Sequence, residues 1–223
     1  MPGLRYVYAV CRPLGAPLQA QLTGVAGAPP ALLHHHGLVA VVSTVPEDDF
    51  CEEALRARRT DRDWLAATTR AHQGVIDALT TVTTPLPLRP HTVFRDDSGV
   101  RTMIEAREDH FRYTLDRLEG RVEWGVKVYA RTGTADESFA RALHERLSRH
   151  AEDVRLYPSQ DAARSTAPGR KVLDAAYLVP RADSEAFVEL VDRAKGESPG
   201  IRVELAGPWA AYSFTGEFTP QEV

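Results

Sequence analysis

Cysteine is nearly missing from this chain: Cys11 and Cys51 are the only two among 223 residues. Two thiols cannot build a disulfide framework, and their spacing matches no zinc-ligand pattern, so a reducing compartment such as the cytoplasm is the natural setting. An excess of basic residues is missing too. The 27 basic and 31 acidic residues leave a formal net charge of −4, and division after Gly120 gives 13 against 15 before and 14 against 16 after. Neither half carries a basic arm, so nucleic acid is not an expected partner. Long apolar runs are also lacking. Pro13 to Pro46 contains no Asp, Glu, Lys or Arg, yet Gly15, Pro17, Gly24, Gly27, Pro29 and Pro30 cut it into pieces too short to cross a bilayer. The N-terminal apolar stretch is interrupted by Arg5 and Arg12 with no cleavage-like site after it. A soluble chain with no membrane span is expected.

Signatures of catalysis are the last absence. No GxxxxGK[ST] cradle for phosphates, no GxGxxG after a strand, no GxSxG elbow and no HExxH occur. His144 and His150 lie six residues apart, and that spacing does not bring two imidazoles to one metal on a helix. His34, His35 and His36 are adjacent; if extended they point alternately to opposite faces, so at most two converge, and a loop before a buried strand is the simpler reading. Acidic clusters at Asp48, Asp49, Glu52 and Glu53, and at Glu105, Glu108 and Asp109, read as helix-terminal and solvated positions. Cys51 has no nearby His or Lys to lower its pKa. No catalytic residue, metal ligand set or cofactor site is therefore expected.

What is present is an ordinary globular composition, 43% hydrophobic and 26% charged, in a chain long enough for one large domain or two small ones. Leu4 to Val10 alternates with the period of a strand, whereas Gly37 to Val45 is a continuous β-branched run suited to a strand covered on both faces. Pro46 closes that strand before a short helix with Phe50, Ala54 and Leu55 inward. Thr60 is the candidate cap of a longer helix whose stripe is Leu65, Thr68, His72, Val75, Ile76 and Leu79. His72 on that stripe reads as a hydrogen-bonded core residue rather than a ligand. Pro85 to Phe94 (PLPLRPHTVF) holds three prolines and can be only an edge or irregular strand. A turn at Asp96–Gly99 leads into a third helix, Val100 to Leu118, capped by Gly120.

The second half is more regular. Val122, Trp124, Val126 and Val128 form one apolar strand face. Thr134 with Glu137 is a capping-box signature for a helix through Phe139, Leu143 and Leu147. A short strand at Val154–Tyr157, a polar loop from Pro158 to Gly169, a strand at Lys171–Val179, a helix at Ser184–Lys195 and a strand from Ile201 follow. Tyr212 to Phe214 is expected to add one more strand. The order βαββαβ is the ferredoxin-like pattern. The expected fold is therefore α+β with two domains, 1–120 and 121–223, the C-terminal one ferredoxin-like with an extra strand.

Three stretches taken in order carry a resemblance that spans nearly the whole chain: the N-terminal RYVYAV, the tract PLPLRPHTVF followed by a helix and VEWGVKVY, and the ending GPWAAYSF. Together with a GLAAVVS-like strand at Gly37–Ser43 and an HxxV helix at His72 and Val75, they resemble the gas vesicle protein F/L family (GvpF/GvpL). Two departures stand out: Pro90 and His91 replace the Phe and Gly of the family's PLRFGT-like tract, and Ala210 and Ala211 replace two prolines of its GPWPPYSF-like ending. The second departure makes that segment better able to pair as a strand, because each proline would remove a donor.

The resemblance implies two α+β domains and a non-catalytic accessory role in gas vesicle assembly. It further implies binding to the small hydrophobic shell protein and to other accessory proteins, and a location at the gas vesicle in the cytoplasm. Two regions are the candidate contacts. One is the proline-bounded tract at Arg89 and His91, and the other is the ending with Trp209 and Tyr212. Structural roles for these residues are the alternative, as is a small-molecule-binding or catalytic protein on ferredoxin-like domains, a scaffold that hosts unrelated functions. Nucleic-acid binding through sheet aromatics such as Tyr6, Tyr8 and Tyr129 lacks the basic stripe it needs.

Overall fold

The nine residues GLRYVYAVC form β1 (Gly3–Cys11), and Tyr6 through Cys11 are fully buried, so both faces of this strand are covered. The computed structural model describes residues 3–18, 21–130, 134–158 and 170–216, without the side chains of 134–136. β1 lies between β3 (Leu38–Pro46) on one side and two short strands, β4 (Leu86–Pro87) and β5 (Val93–Phe94), on the other; β2 (Ala31–His35) flanks β3. All of these pairings are antiparallel. The PLPLRPHTVF tract thus pairs at its two ends only, as its prolines dictate.

The two faces of β1 meet different partners. Val7 and Val10 join Leu33, Ala40 and Val42 against Val100, Met103 and Ile104 of α4 (Asp97–Ala106) and Phe111 and Leu115 of α5 (Glu108–Leu118). Tyr6 and Tyr8 face His72 of α3 (Arg62–Thr80) instead. Of the stripe read from the sequence, α3 buries Thr68, His72, Val75, Ile76 and Leu79, while Leu65 is only half-buried.

Several local expectations are corrected. The helix after Pro46 is two, α1 (Glu47–Phe50) and α2 (Glu52–Ala57), because Cys51 is extended at ψ 164°. Asp61, not Thr60, caps α3 by accepting from the Trp64 N–H at 3.0 Å. Asp96 is the cap of α4, accepting from the Gly99 N–H at 2.9 Å, so the Asp96–Gly99 turn is a helix start. The long third helix breaks at Arg107, whose φ of −135° is not helical. His34 and His35 belong to β2 rather than to a loop, and the hairpin turns at His36 and Gly37.

The second half builds β6 (Arg121–Ala130), α6 (Thr134–Ser148), β7 (Asp153–Leu156), β8 (Arg170–Pro180), α7 (Ser184–Ala194) and β9 (Arg202–Trp209). The sheet order is β7-β8-β6-β9, antiparallel throughout. Val122, Trp124, Val126 and Val128 pack with Leu143 and Leu147 of α6 and Phe187 and Val191 of α7. The capping side chain of Thr134 and residues 159–169 of the polar loop lie outside the described residues. Tyr212–Phe214 is a 3-10 turn and not the additional strand expected. Its backbone bonds locally, Tyr212 N–H to Ala210 O at 2.8 Å and Phe214 N–H to Ala211 O at 3.1 Å.

Contacts divide the chain into two compact units, residues 120–214 and residues 3–119 with 215–216. Thr215 and Gly216 therefore group with the first unit rather than with the expected 121–223. Gly216 approaches α5 closely: a Cβ on it would lie 3.2 Å from His110 Cε1.

Two substitutions test the core of the second unit. Trp124 is buried, stacks on Phe187 with ring centroids 6.4 Å apart and donates its Nε1–H to Ser184 Oγ at 3.3 Å. Trp124→Ala should cost about 3 to 5 kcal/mol in urea unfolding. Gly207 has φ +128°, and a Cβ there would sit 2.7 Å from Glu123 O and 3.0 Å from the Trp124 ring. Gly207→Ala should cost at least about 1 to 3 kcal/mol through strained backbone and that clash. An unchanged midpoint for either variant contradicts the packing described.

Candidate functional site

The candidate residues fall into two regions, each in its own unit. In the first, Pro90 has no N–H to donate, so the turn of 89–92 is held by its neighbours. Thr92 donates its N–H and its Oγ1–H to Arg89 O, at 3.3 and 2.7 Å. His91 adopts φ +67° and donates its N–H to the Tyr6 hydroxyl at 3.0 Å. The Arg89 side chain is exposed, and no carboxylate among the described residues pairs with it. The His91 ring is half-buried and stacks on Trp64, with centroids 5.3 Å apart and planes 15° from parallel. Arg58 lies over the other partner of this stack, its guanidinium carbon 5.1 Å from the Trp64 ring centre. Arg58, Trp64, His91 and Arg89 thus present aromatic and basic groups on the surface of the first unit.

Behind that surface is a buried polar chain. The Tyr6 oxygen accepts from the His91 N–H, so its own proton goes to His72 Nδ1, 3.0 Å away. This assigns the His72 tautomer protonated at Nε2, and the ring also bonds the Leu88 backbone. Tyr8 repeats the pattern one step along the strand: it donates to Ser43 Oγ at 2.9 Å and accepts from the Val25 N–H at 2.8 Å. Burial pushes the phenol pKa of both tyrosines up. It also pushes the His72 pKa down to about 4, helped by the neighbouring His91 and opposed by the Leu88 backbone bond. His72 is therefore a neutral core residue, as its place on the α3 stripe implied.

In the second region, Trp209 at the end of β9 pairs with Glu123 of β6 and is 43% exposed. Its ring lies over Gly125, where a Cβ would come within 3.2 Å of Trp209 Cζ3. Glu123 is buried and takes two bonds from Ser213, from its N–H at 2.8 Å and its Oγ–H at 2.6 Å. Burial raises its pKa, partly offset by those two Ser213 bonds. The Tyr157 hydroxyl meets the same Ser213 Oγ at 2.5 Å. Leu156 and Tyr157 are 61% and 44% exposed. Tyr212 is half-buried beside Ser213, with its hydroxyl turned inside. Large apolar groups therefore remain at the surface of this unit, with Trp209 and Tyr157 beside a carboxylate clamp that holds Ser213.

Sequence reasoning missed Glu123, Tyr157 and Trp64. Glu123 sits at an outward position of an alternating strand, where burial is not expected. Gly125 was the available signal, since an isolated glycine in a strand marks the close approach of another group. His35 and His36 converge, although by a different route from alternation along a strand, and Glu105 joins them.

Comparison with known proteins decides the family. The family described as gas vesicle synthesis protein GvpL/GvpF matches residues 4–138 and 131–216. The chain belongs to the GvpL/GvpF family. Gas vesicle protein L of Streptomyces sp. (strain CB03234) is 49% identical over 249 aligned positions, covering 96% of this chain and 93% of that protein. Gas vesicle protein F of the same strain is 26% identical, covering 94% and 98%. Among solved structures, GvpF from Anabaena superposes with a TM-score of 0.78 at 15% identity, covering 99% of each chain. GvpF from Microcystis aeruginosa gives 0.76 at 16%, covering 96% and 99%. These structures share the mixed α+β fold with two antiparallel sheets. GvpL/GvpF is a gas vesicle family rather than an enzyme family, and the role of this chain is a gas vesicle role. No helix among the described residues is long and apolar enough to cross a membrane.

The buried His72 makes stability depend on pH. Its folded pKa of about 4 lies below the ordinary 6.5, so the unfolded chain binds more protons between those values. Its contribution is complete above about pH 6.5 and is lost as the pH falls towards 4, by up to about 3 kcal/mol. Urea unfolding of the parent should weaken over that window more than that of His72→Gln. Parallel pH profiles for the two proteins would show that His72 titrates normally.

Proposed function

We propose that this protein is a non-catalytic accessory factor that binds the hydrophobic gas vesicle shell protein during assembly. The reading is carried by membership of the GvpL/GvpF family, and the exposed Trp209 on one edge strand of the second sheet, with the exposed Leu156 and Tyr157 at the other, supports it. A shell subunit with an apolar face aggregates in water unless a partner covers it until it joins the wall. Aromatic side chains held on rigid backbone are suited to such a contact, because they bury large area with little loss of rotamer freedom. Trp209 is held by its ladder and by Gly125, and the chain beside it by the Glu123–Ser213 clamp. The Arg58–Trp64–His91 stack with Arg89 is the second surface of this kind. Further gas vesicle accessory proteins are the other expected partners, and the protein acts at the gas vesicle in the cytoplasm.

Two structural readings accompany this one. The element order of residues 120–214 and the sheet order β7-β8-β6-β9 support a ferredoxin-like unit without the extra strand. The two compact units are read as two domains, so a fragment 120–214 should unfold cooperatively in urea on its own. A fragment without a cooperative transition would remove the domain boundary.

Calorimetry with purified shell protein tests the function. The parent should bind with micromolar or tighter affinity and suppress shell-protein aggregation with no nucleotide or metal added. Trp209→Ala should weaken binding by roughly tenfold or more, and Arg89→Ala and Tyr212→Ala should weaken it measurably, each with an unchanged melting transition. If all three variants fold and bind like the parent, the surfaces are wrongly assigned. A parent that binds no vesicle protein refutes the function itself.

A further inference from the structure

The tip of the β2–β3 hairpin gathers metal-ligating side chains that the gas vesicle reading leaves unused. His36 and Gly37 both have positive φ, +49° and +70°, and join His35 to Leu38 across a two-residue turn. That conformation interrupts the alternation of the strand. Instead of pointing to opposite faces, the His35 and His36 rings stack, with centroids 4.2 Å apart and planes 17° from parallel. His34 stays on the opposite face of β2 from His35 and is exposed.

Two carboxylates face the stacked rings. Glu105 from the end of α4 meets His35 Nε2 at 2.6 Å, and Glu108 from the start of α5 meets His36 Nδ1 at 2.8 Å. They flank the break at Arg107, which turns both towards the hairpin. One ligand atom from each of His35, His36 and Glu105 lies within 4.8 Å of the others. Arg112 steadies the frame, donating from Nε to Glu108 at 2.8 Å and from its terminal nitrogen to the His36 carbonyl.

We propose that His35, His36 and Glu105 form a site for one divalent transition-metal ion of the zinc class, with Glu108 orienting His36. Two imidazoles and a carboxylate are the ligand types such ions accept. Glu108 on His36 Nδ1 leaves Nε2 for the metal, the arrangement in which a carboxylate fixes the tautomer and aim of a ligating imidazole. The proton shared between His35 Nε2 and Glu105 is the one the ion displaces. Ligands about 2.1 Å from a tetrahedral ion sit roughly 3.4 Å apart, so the three groups need only close in slightly. His36 and Glu105 have side chains about half exposed, free to make that adjustment. A bound ion would tie the hairpin to the α4–α5 corner.

The test uses tag-free full-length protein stripped with a chelator. Calorimetric titration with Zn²⁺ should give one equivalent per chain at micromolar or tighter affinity, and Co²⁺ should develop the visible absorption of a low-symmetry site. His35→Ala, His36→Ala and Glu105→Gln should each weaken Zn²⁺ binding at least tenfold, while His34→Ala leaves it unchanged. Zn²⁺ should raise the melting temperature of the parent and not of the His35 and His36 variants. His35→Gln, which keeps the bulk of the ring position, replaces the alanine variant if that one melts abnormally. No Zn²⁺ binding by the parent, or binding that survives both histidine substitutions within threefold, overturns the site.

Discussion

The hydroxyl of Tyr6 joins three segments that are far apart in sequence, and the arrangement of the first unit follows from satisfying it. Its oxygen receives the His91 N–H and its proton goes to His72, so β1, α3 and the 89–92 turn share one buried group. Removing any partner strands a polar atom in the core, which costs more than the bond itself is worth. Proline sets which donor is available. Pro90 has none, and the next N–H in the chain is that of His91. The same prolines limit β4 and β5 to two-residue pairings, so the stretch between them leaves the sheet and forms the surface with Arg89.

The second unit places a buried acid where the first places a tyrosine. Glu123 lies at the end of the β6–β9 register with Trp209 opposite and Ser213 closing on its carboxylate. Burying a carboxylate is unfavourable, as its raised pKa records, and the two Ser213 bonds offset part of that penalty. The result is that residues 210–214 turn back on the sheet instead of extending along it. Trp209, just before that turn, keeps nearly half its surface in water because its ring rests on Gly125 and not in the core.

Much of this was legible from period and composition. The apolar face of β6, the stripe of α3, the two-sided burial of β3 and the neutral core role of His72 all follow from spacing, because burial and periodicity are tied in regular elements. Family membership was legible from the order of short motifs. What failed depended on single backbone torsions or on partners far along the chain. The break at Arg107, the extended Cys51 and the positive φ of His36 leave no periodic trace, yet the first and the last decide where Glu105, Glu108 and the imidazoles point. Tyr212–Phe214 has the composition of a strand, but it is a turn held by local backbone bonds and by the Glu123 carboxylate, some 90 residues earlier. Thr215 and Gly216 group with the first unit, where Gly216 lies close to His110, a contact that nothing local announces.

The departure at Pro90 and His91 from the family's PLRFGT-like tract acquires a physical meaning from the backbone. His91 occupies φ +67°, the left-handed region in which glycine is at ease, so the glycine that the resemblance implies at this position fits the conformation. A histidine there carries a steric cost of about 1 kcal/mol, although histidine is among the side chains that tolerate the region best. Its N–H bond to Tyr6 would be equally open to a glycine. What the imidazole adds is the stack on Trp64, which a glycine cannot make. The chain therefore accepts strain at this turn in return for an aromatic surface that also includes Arg58. The bond to Tyr6 needs no side chain at this position, so the strain at His91 is accompanied by its stack on Trp64 and not by anything the core requires.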